Sequence, residues 1–355
     1  MFLQDKTILV TGGTGSMGKT FVRRVLGGEL GTPRKVIVLS RDEAKQHEMR
    51  LDYLHRRVST DDVIFNNFLN VLEFRIGDVR SYDDICSAVK GADIVVNAAA
   101  LKQVPTCEYF PIQAVMTNCV GAYNIVRAIE EHGYPVDSVI GISTDKACKP
   151  VNVMGMSKSI QERILIAANI LTRETRFICV RYGNVLASRG SVIPLFHDQI
   201  RSGGPVTLTD PMMTRFLLSL DDAVDTVFTA LREARPGETY VPRAPSAIVL
   251  NLAKALIGER PIQIKTIGIR PGEKMHEIMV SEEEMHHCVR RGDYLAIRPM
   301  LPELRRESSE ANALQKEFSS EDTVVDLPGT VALLKRHRLL LEDVDTSVAA
   351  GELLR

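Results

Sequence analysis

The sequence predicts an α/β protein: a Rossmann-type doubly wound parallel sheet with a smaller C-terminal α/β lobe. Three observations carry this expectation. Up to Asn184, short, continuously apolar runs alternate with longer segments of helical period, the pattern of parallel strands covered by helices on both faces. The first apolar run ends in the glycine-rich turn "TGGTGSMG". Beyond Asn184 the alternation loosens, and 355 residues are more than one core usually takes up, so two lobes are expected.

Taken in order, "KTILVTGG" is a buried strand running into a glycine turn, and "KTFVRRVLGG" is a helix with a glycine stop. "KVIVLSRDE" and "LEFRIGDV" are the second and third strands, with a helix from Ser81 to Lys90 after them. "ADIVVNAAA" is the fourth strand, "IQAVMTNCVGAYNIVRAIEEHG" a long helix, and "VDSVIGIST" the fifth strand. "SKSIQERILIAANI" is a helix and "RFICVRYGNV" the sixth strand. Right-handed crossovers between such strands give the doubly wound sheet. Further on, "SRGSVIPLFHDQIRSGGPVTLTD" is a helix between loops. "SLDDAVDTVFTALREA" is an amphipathic helix capped by Ser219. "SAIVLNLAKALIG" is a helix, "IQIKTIGI" a strand, "RESSEANALQKEFSSEDT" a polar, mobile arm, and "LPGTVALLKRHRLLL" a closing helix. The expected division is 1–185 for a dinucleotide-binding domain, 186–300 for a substrate lobe and 301–355 for an arm and helix. The helix at 219–234 is expected to return to the first domain.

Composition narrows the class. With 45% hydrophobic and 25% charged residues and net charge −1, the chain is ordinary for a globular protein and has no basic excess for nucleic acid or an anionic membrane. No apolar run is long enough for a transmembrane helix, and "MFLQDKTILVTGGTG" lacks the regions of a signal peptide. The six cysteines are scattered without metal-ligand spacing. A cytoplasmic protein with reduced thiols and no metal site is expected.

The glycines of "TGGTGSMG" let the backbone approach a pyrophosphate at a helix N-terminus. Gly12, Thr14, Gly15, Ser16, Met17 and Gly18 are therefore the candidate cofactor contacts, the bland alternative being a tight turn. After the second strand Arg41 stands where an acid usually bonds the ribose of NAD, and Lys45 follows. Cations there fit a 2′-phosphate and point to NADP, against the plain reading of a solvated charged turn. Asp78 and Val79 in "GDV" are placed beside the adenine, and Ala98, Ala99 and Ala100 are small enough for the cofactor to lie against the strand end. At the end of the fifth strand, "STDK" puts Ser143, Thr144, Asp145 and Lys146 where open parallel sheets bind ligands. An acid beside an amine there can give and take a proton; alone, the same residues are a strand-end cap with a surface salt bridge.

Together "TGGTGSMG", "SRDEAKQ", "AALKQVP", "STDKA", the Met-Gly-x-Ser-Lys frame, "RYGNVLASRGSVIPLF", "MTRF" and "RPGEK" occur in order. They resemble the extended short-chain dehydrogenase/reductases that act as UDP-N-acetylglucosamine 4,6-dehydratases, in particular the soluble, inverting capsule-biosynthesis (CapE-like) type. The resemblance runs from about residue 3 to residue 300, with an echo at "FSSEDT". It implies that tightly bound, recycled NADP oxidises the sugar C4, that a proton leaves C5 and water leaves C6, and that hydride returns to C6. By the same resemblance Asp145 protonates the departing 6-hydroxyl and Lys146 takes and returns the C5 proton. Lys158 holds the nicotinamide ribose, and Thr144 bonds the C4 oxygen. The product is a UDP-2-acetamido-2,6-dideoxy-4-keto-hexose for a surface polysaccharide, with inversion at C5. Most of the superfamily has Tyr four residues before that Lys; here it is Met154, as in the nearest branch. A thioether takes no proton, so the 4-hydroxyl proton is expected to go to Asp145, Lys146 or a water held by Thr144, with burial and neighbouring charge bringing a Lys or Asp near neutrality.

For the substrate, Arg215 and Arg270 are expected on the diphosphate, because Arg forks match phosphate oxygens, with Asn184 beside them. Lys102 and Gln103 border the sugar. Cys107 is read as packing, since no His accompanies it. A homo-oligomer, dimer or hexamer, is expected by analogy. Two other functions compete. A UDP-sugar 4-epimerase needs no C5 base or C6 acid, and the Asp145–Lys146 pair speaks against it. A noncatalytic NADP-binding sensor could discard Lys146, Lys158 and the arginines, all of which are present.

Overall fold

The computed structural model describes residues 1–54, 62–186, 191–305 and 309–343. Residues 187–190 of the "RYGNVLASRG" stretch, 306–308 of the polar segment and the end of the expected 301–355 arm lie outside the described residues. Six apolar runs form the strands β1 (Thr7–Thr11), β2 (Lys35–Ser40), β3 (Leu72–Ile76), β4 (Ile94–Asn97), β5 (Ser138–Thr144) and β6 (Arg176–Tyr182). They lie in the order β3-β2-β1-β4-β5-β6, and every pairing among them is parallel. The strand order reverses between β1 and β4, and this switch point opens a crevice at the carboxyl ends of the strands. Both sheet faces are covered: Val10, Val38 and Ile140 belong to one apolar core, and Leu9, Ile37 and Val139 to the other. The doubly wound α/β fold is as the sequence predicts.

The sheet is larger than the sequence suggests. Strand Thr239–Pro242 adds to β6 in parallel, and the hairpin Cys288–Arg291/Tyr294–Ile297 closes that edge antiparallel, giving nine strands. Helix Leu220–Glu233 lies on helix Ser16–Leu26, with the Phe21 and Phe228 rings 5.4 Å apart and Arg24 paired to Asp225 at 2.7 Å. The expected boundary at 185 therefore cuts across the sheet. The physical reason is that the open edge of β6 is paired by later segments of chain rather than left bare.

A third core gathers Ile193, Phe196, Leu208, Leu252, Leu256 and Leu334. Helix Leu327–Arg336 contributes to it, and residues 318–325 before that helix are drawn into sheets rather than forming a mobile arm. Phe318–Ser319 pairs with Ile278–Val280, Val324–Val325 pairs with Ser246–Ile248, and Ser320 is fully buried. The polar composition of this stretch misleads because Ser320 turns its hydroxyl inward, onto Thr214 and Glu277. Two more differences bear on the site. Helices Glu43–Leu54 and Asp62–Val71 fill the β2–β3 connection, where periodicity announces no element. The long helix expected at 112–133 is interrupted by a π-helical turn, Val115–Val120, before Gly121–His132. Gly121 lets that helix press on Val79, whose side chain a Cβ would meet at 2.8 Å.

Candidate active site

The turn after β1 is built by close backbone approach. Gly12 has φ +65°, and a Cβ there would lie 2.7 Å from Ala99 Cα; a Cβ on Gly18 would lie 2.5 Å from Gly13 Cα. Gly15, in contrast, is exposed and caps helix Ser16–Leu26, which has no side-chain cap and no acid in its first turn. Ser16 and Met17 follow, half-buried. This leaves the helix N-terminus, with its N–H groups and positive dipole end, for an anion. Thr14 and Ser40 share a hydroxyl–hydroxyl bond of 3.1 Å that joins the turn to β2. The residues present therefore fit the pyrophosphate of a dinucleotide.

The ribose end is less uniform. Arg41 is exposed and stands only loosely beside Asp78, at 3.8 Å, whereas Lys45 is taken up by Asp42 at 2.5 Å. Asp78 in turn is held by Arg80 at 2.5 Å. Of the two cations expected at a 2′-phosphate, Arg41 is the one left available. Asp78 and Arg80 also line a shallow pocket of about 380 Å³ with Ser81, Gln113 and Met116. Ala98 and Ala99 are half-buried and Ala100 exposed along the end of β4.

The chemical centre forms where β5 runs into a 3₁₀ turn, Asp145–Ala147. Asp145 is fully enclosed. Its Oδ1 accepts from Thr144 Oγ1 at 2.8 Å and from Lys146 Nζ at 3.0 Å, and its buried Oδ2 has no partner. Lys146 Nζ also donates to Asn184 Oδ1 at 3.0 Å and lies 3.1 Å from Glu277 Oε1. Arg215 Nε stands 3.9 Å from the same carboxylate oxygen, and Glu277 Oε2 is buried without a partner. One ammonium is thus shared by two enclosed carboxylates. Burial raises the Asp145 carboxyl above its ordinary value; Lys146 opposes the rise and Glu277 adds to it. Burial alone would lower Lys146, but Asp145 and then Glu277 outweigh it and hold the ammonium at about 12. Burial raises Glu277, but Lys146 and Arg215 bring it below its ordinary value. Of the two groups expected to approach neutrality, Asp145 moves that way and Lys146 moves away, because it faces two carboxylates rather than one.

Helix Val153–Leu171 carries the remaining pieces. Met154 is buried in a small apolar cluster with Cys107 and Ala114, which also places Cys107 as packing. Lys158 is buried and donates to the Ile142 carbonyl and to Gln161 Oε1 at 2.6 Å. Burial lowers it to about 8, against the pull of Glu162. The π-helical turn brings fully buried Asn118 to the same region: its Nδ2 donates to the Leu101 carbonyl at 3.0 Å and to Ser157 Oγ at 2.9 Å, and its Oδ1 accepts from Leu101 N–H at 2.8 Å. Asn118 so ties the loop carrying Lys102 and Gln103, both exposed, to the Lys158 helix.

The structure therefore brings Thr144, Asp145, Lys146, Asn184 and Arg215 together. Arg270 is exposed on a separate loop, whose Gly272 carbonyl accepts from Asn152 Nδ2 at 2.9 Å. Arg215 is buried, its guanidinium donating to the Thr214 and Met275 carbonyls at 2.8 and 3.1 Å. Sequence reasoning missed Glu277 and Asn118. No local signal marks Glu277, which lies three residues beyond the "RPGEK" motif. Among the described residues no three His, Cys, Asp or Glu side chains come together as a metal site, and no helix is long and apolar enough to cross a membrane.

Comparison with known proteins agrees with this architecture. The profile of a family described as polysaccharide biosynthesis protein matches residues 8–299. A UDP-glucose 4-epimerase of Rickettsia bellii (strain RML369-C) is 46% identical over 298 residues, 82% of this chain and 83% of that protein. A UDP-glucose 4-epimerase of Rickettsia typhi is 43% identical over 330 residues, 90% of this chain and 92% of the relative. Among solved structures, Pen from Bacillus thuringiensis superposes with a TM-score of 0.84 at 32% identity, covering 96% of this chain and 100% of that one. The dTDP-glucose 4,6-dehydratase DesIV from Streptomyces venezuelae, with NAD bound, shares the fold at a TM-score of 0.62 and 22% identity, covering 76% of this chain and 86% of its own. The chain belongs to the polysaccharide biosynthesis protein family.

Proposed function

We propose that this member of the polysaccharide biosynthesis protein family is a UDP-N-acetylglucosamine 4,6-dehydratase that inverts C5 and yields a UDP-2-acetamido-2,6-dideoxy-4-keto-hexose for a surface polysaccharide. The observation that carries the reading is the enclosed Asp145–Lys146 pair, 3.0 Å apart at the switch-point end of β5. Dehydration needs an acid and a base side by side. One proton passed from Lys146 Nζ to Asp145 Oδ1 makes both at once, a neutral carboxyl and a neutral amine. The rise of Asp145 through burial lowers the cost of that transfer.

Bound NADP supplies oxidation at C4 and reduction at C6, so no second redox partner is needed. The protein does the rest. The glycine turn and helix N-terminus hold the pyrophosphate, Arg41 faces the 2′-phosphate, and Lys158 holds the nicotinamide ribose. The Thr144 hydroxyl bonds the C4 oxygen, and a water it holds takes the 4-hydroxyl proton and restores it to the Asp145–Lys146 pair at the end of the cycle. Lys146 takes the C5 proton, its ammonium exchanges with solvent, and it delivers a proton to the other face of C5. Asp145, fully enclosed behind half-buried Thr144, delivers its proton to the leaving 6-hydroxyl through the Thr144 hydroxyl it already bonds. Arg215 and Arg270 take the diphosphate, and Lys102 and Gln103 border the sugar. Asn184, bonded to Lys146, orients the amine.

A UDP-sugar 4-epimerase is the second reading, favoured by the names of the Rickettsia relatives. It leaves the Asp145–Lys146–Glu277 group without a task, and it lacks a phenol at Met154. Mass spectrometry of UDP-N-acetylglucosamine incubated with the purified protein separates the two. Loss of one water supports the dehydratase, and an isomer of unchanged mass supports the epimerase.

A further inference from the structure

Lys146 is held by residues from a distant part of the chain, and those residues are themselves held from beyond the end of the family match at residue 299. Ser320 lies in the polar "FSSEDT" stretch and is fully buried. Each of its polar groups is engaged. Its N–H donates to the Glu277 carbonyl at 2.8 Å, and its own carbonyl accepts from Ser246 Oγ at 2.5 Å. Its hydroxyl oxygen accepts from the Glu277 N–H at 2.9 Å, shares a 2.6 Å bond with Thr214 Oγ1, and lies 3.2 Å from the Thr214 carbonyl, to which it can donate.

This arrangement is saturated: one hydroxyl donates once and accepts twice. Its partners are not arbitrary. Thr214 precedes Arg215, and Glu277 is the second carboxylate on Lys146. Thr214 opens the strand Thr214–Phe216 and Glu277 directly precedes the strand Ile278–Val280, and these strands lie in two separate small sheets. The two segments also meet directly, through the bridge between Thr214 and His276, the 2.8 Å bond between their side chains, and Arg215, which donates to the Met275 carbonyl. Ser320 grips both from one point, and its flanks add a strand to each sheet.

We infer that Ser320 is a positioning residue of the active centre: it fixes Glu277 and Arg215 relative to each other, and through them the place of the Lys146 amine. A carboxylate that drifts from Lys146 leaves the ammonium leaning on Asp145 alone, and an Arg215 that drifts misplaces the diphosphate. Reacting groups displaced by about 1 Å cost on the order of 100-fold in rate, so a loosened clasp is felt in turnover while the cofactor site, on β1 and β4, stays as it was. The role rests on the proposed dehydratase only for which product is counted.

The test compares wild type and Ser320→Ala in the full-length protein, with UDP-N-acetylglucosamine turnover followed by NMR, which reads dehydration and epimerisation alike. Product identity judges the proposed reaction, and the ratio of the two rates judges Ser320. The expected result is a drop in kcat/KM of about 10- to 100-fold, with NADP affinity unchanged. Thr214→Val removes the facing hydroxyl, so it should reproduce most of the loss, and the double variant should be little worse than either single one. If Ser320→Ala fails to fold, Thr214→Val at permissive temperature carries the comparison. Full turnover in a folded variant, fully additive losses, or an equal loss of NADP affinity would each overturn the inference.

Discussion

The two ends of the crevice are built in opposite ways. At the cofactor end the site is one turn of chain: Gly12, Gly15 and Gly18 stand within seven consecutive residues, and backbone contact rather than side-chain chemistry sets its shape. At the chemical end Asp145 and Lys146 are neighbours, but the groups that define their charge, Asn184, Arg215 and Glu277, arrive from later segments. The first end fails when a methyl group is added. The second fails when a charge is removed. A local site tolerates changes elsewhere in the fold, whereas an assembled one depends on how the second lobe is docked.

The sharpest way to break this comparison is at Lys146. Lys146→Met removes the proposed base and leaves Asp145 and Glu277 enclosed with no ammonium between them. A loss of kcat of about 100- to 10,000-fold is expected, with NADP affinity unchanged; a variant that keeps its rate would place the base elsewhere. Gly18→Ala attacks the other end. Its Cβ would fall 2.5 Å from backbone atoms that cannot swing aside. The cost should be about 1–3 kcal/mol of stability, together with loss of co-purified cofactor, read by thermal unfolding and by absorbance of the released nucleotide. Unchanged cofactor content would mean that the turn is a packing device only.

Glu277→Gln sharpens the contrast through pH. Glu277 holds Lys146 up and adds to the rise of Asp145. Removing its charge should lower both ionisations, so the pH–rate profile should move bodily to the acid side, with a loss of about 10-fold in kcat. A profile that stays in place would show that Glu277 does not govern the pair. The smallest effect belongs to Arg41→Ala. Arg41 is exposed and only loosely paired, so its loss should cut the preference for NADP over NAD by about 10-fold. Measured affinities for the two dinucleotides decide it, and an unaltered ratio would remove Arg41 from the 2′-phosphate.

How much of this was legible follows from the same contrast. Alternating apolar runs announce β1 to β6, and the glycine spacing announces the cradle, because both are properties of contiguous chain. Asp145 and Lys146 were legible as neighbours at a strand end. Glu277 was not, because nothing local marks a carboxylate whose partner lies across the fold. Strand Thr239–Pro242 and the Cys288–Ile297 hairpin read as part of a second lobe, since membership in a sheet is decided by pairing rather than by periodicity. The "FSSEDT" stretch read as mobile because serines are usually solvated, and here Ser320 has all its polar groups satisfied inside. The direction in which Lys146 is shifted also escaped the sequence, since it depends on the second carboxylate.

The account stands most directly on the fate of the C5 proton. Purified protein would be given UDP-N-acetylglucosamine in D2O without added cofactor, and the product followed by NMR. The account predicts a C6 methyl signal with one solvent deuterium at C5, and ring couplings of the inverted sugar. UDP-N-acetylgalactosamine with no loss of water and no deuterium at C5 would contradict it, leaving the Asp145–Lys146–Glu277 group without the role assigned to it.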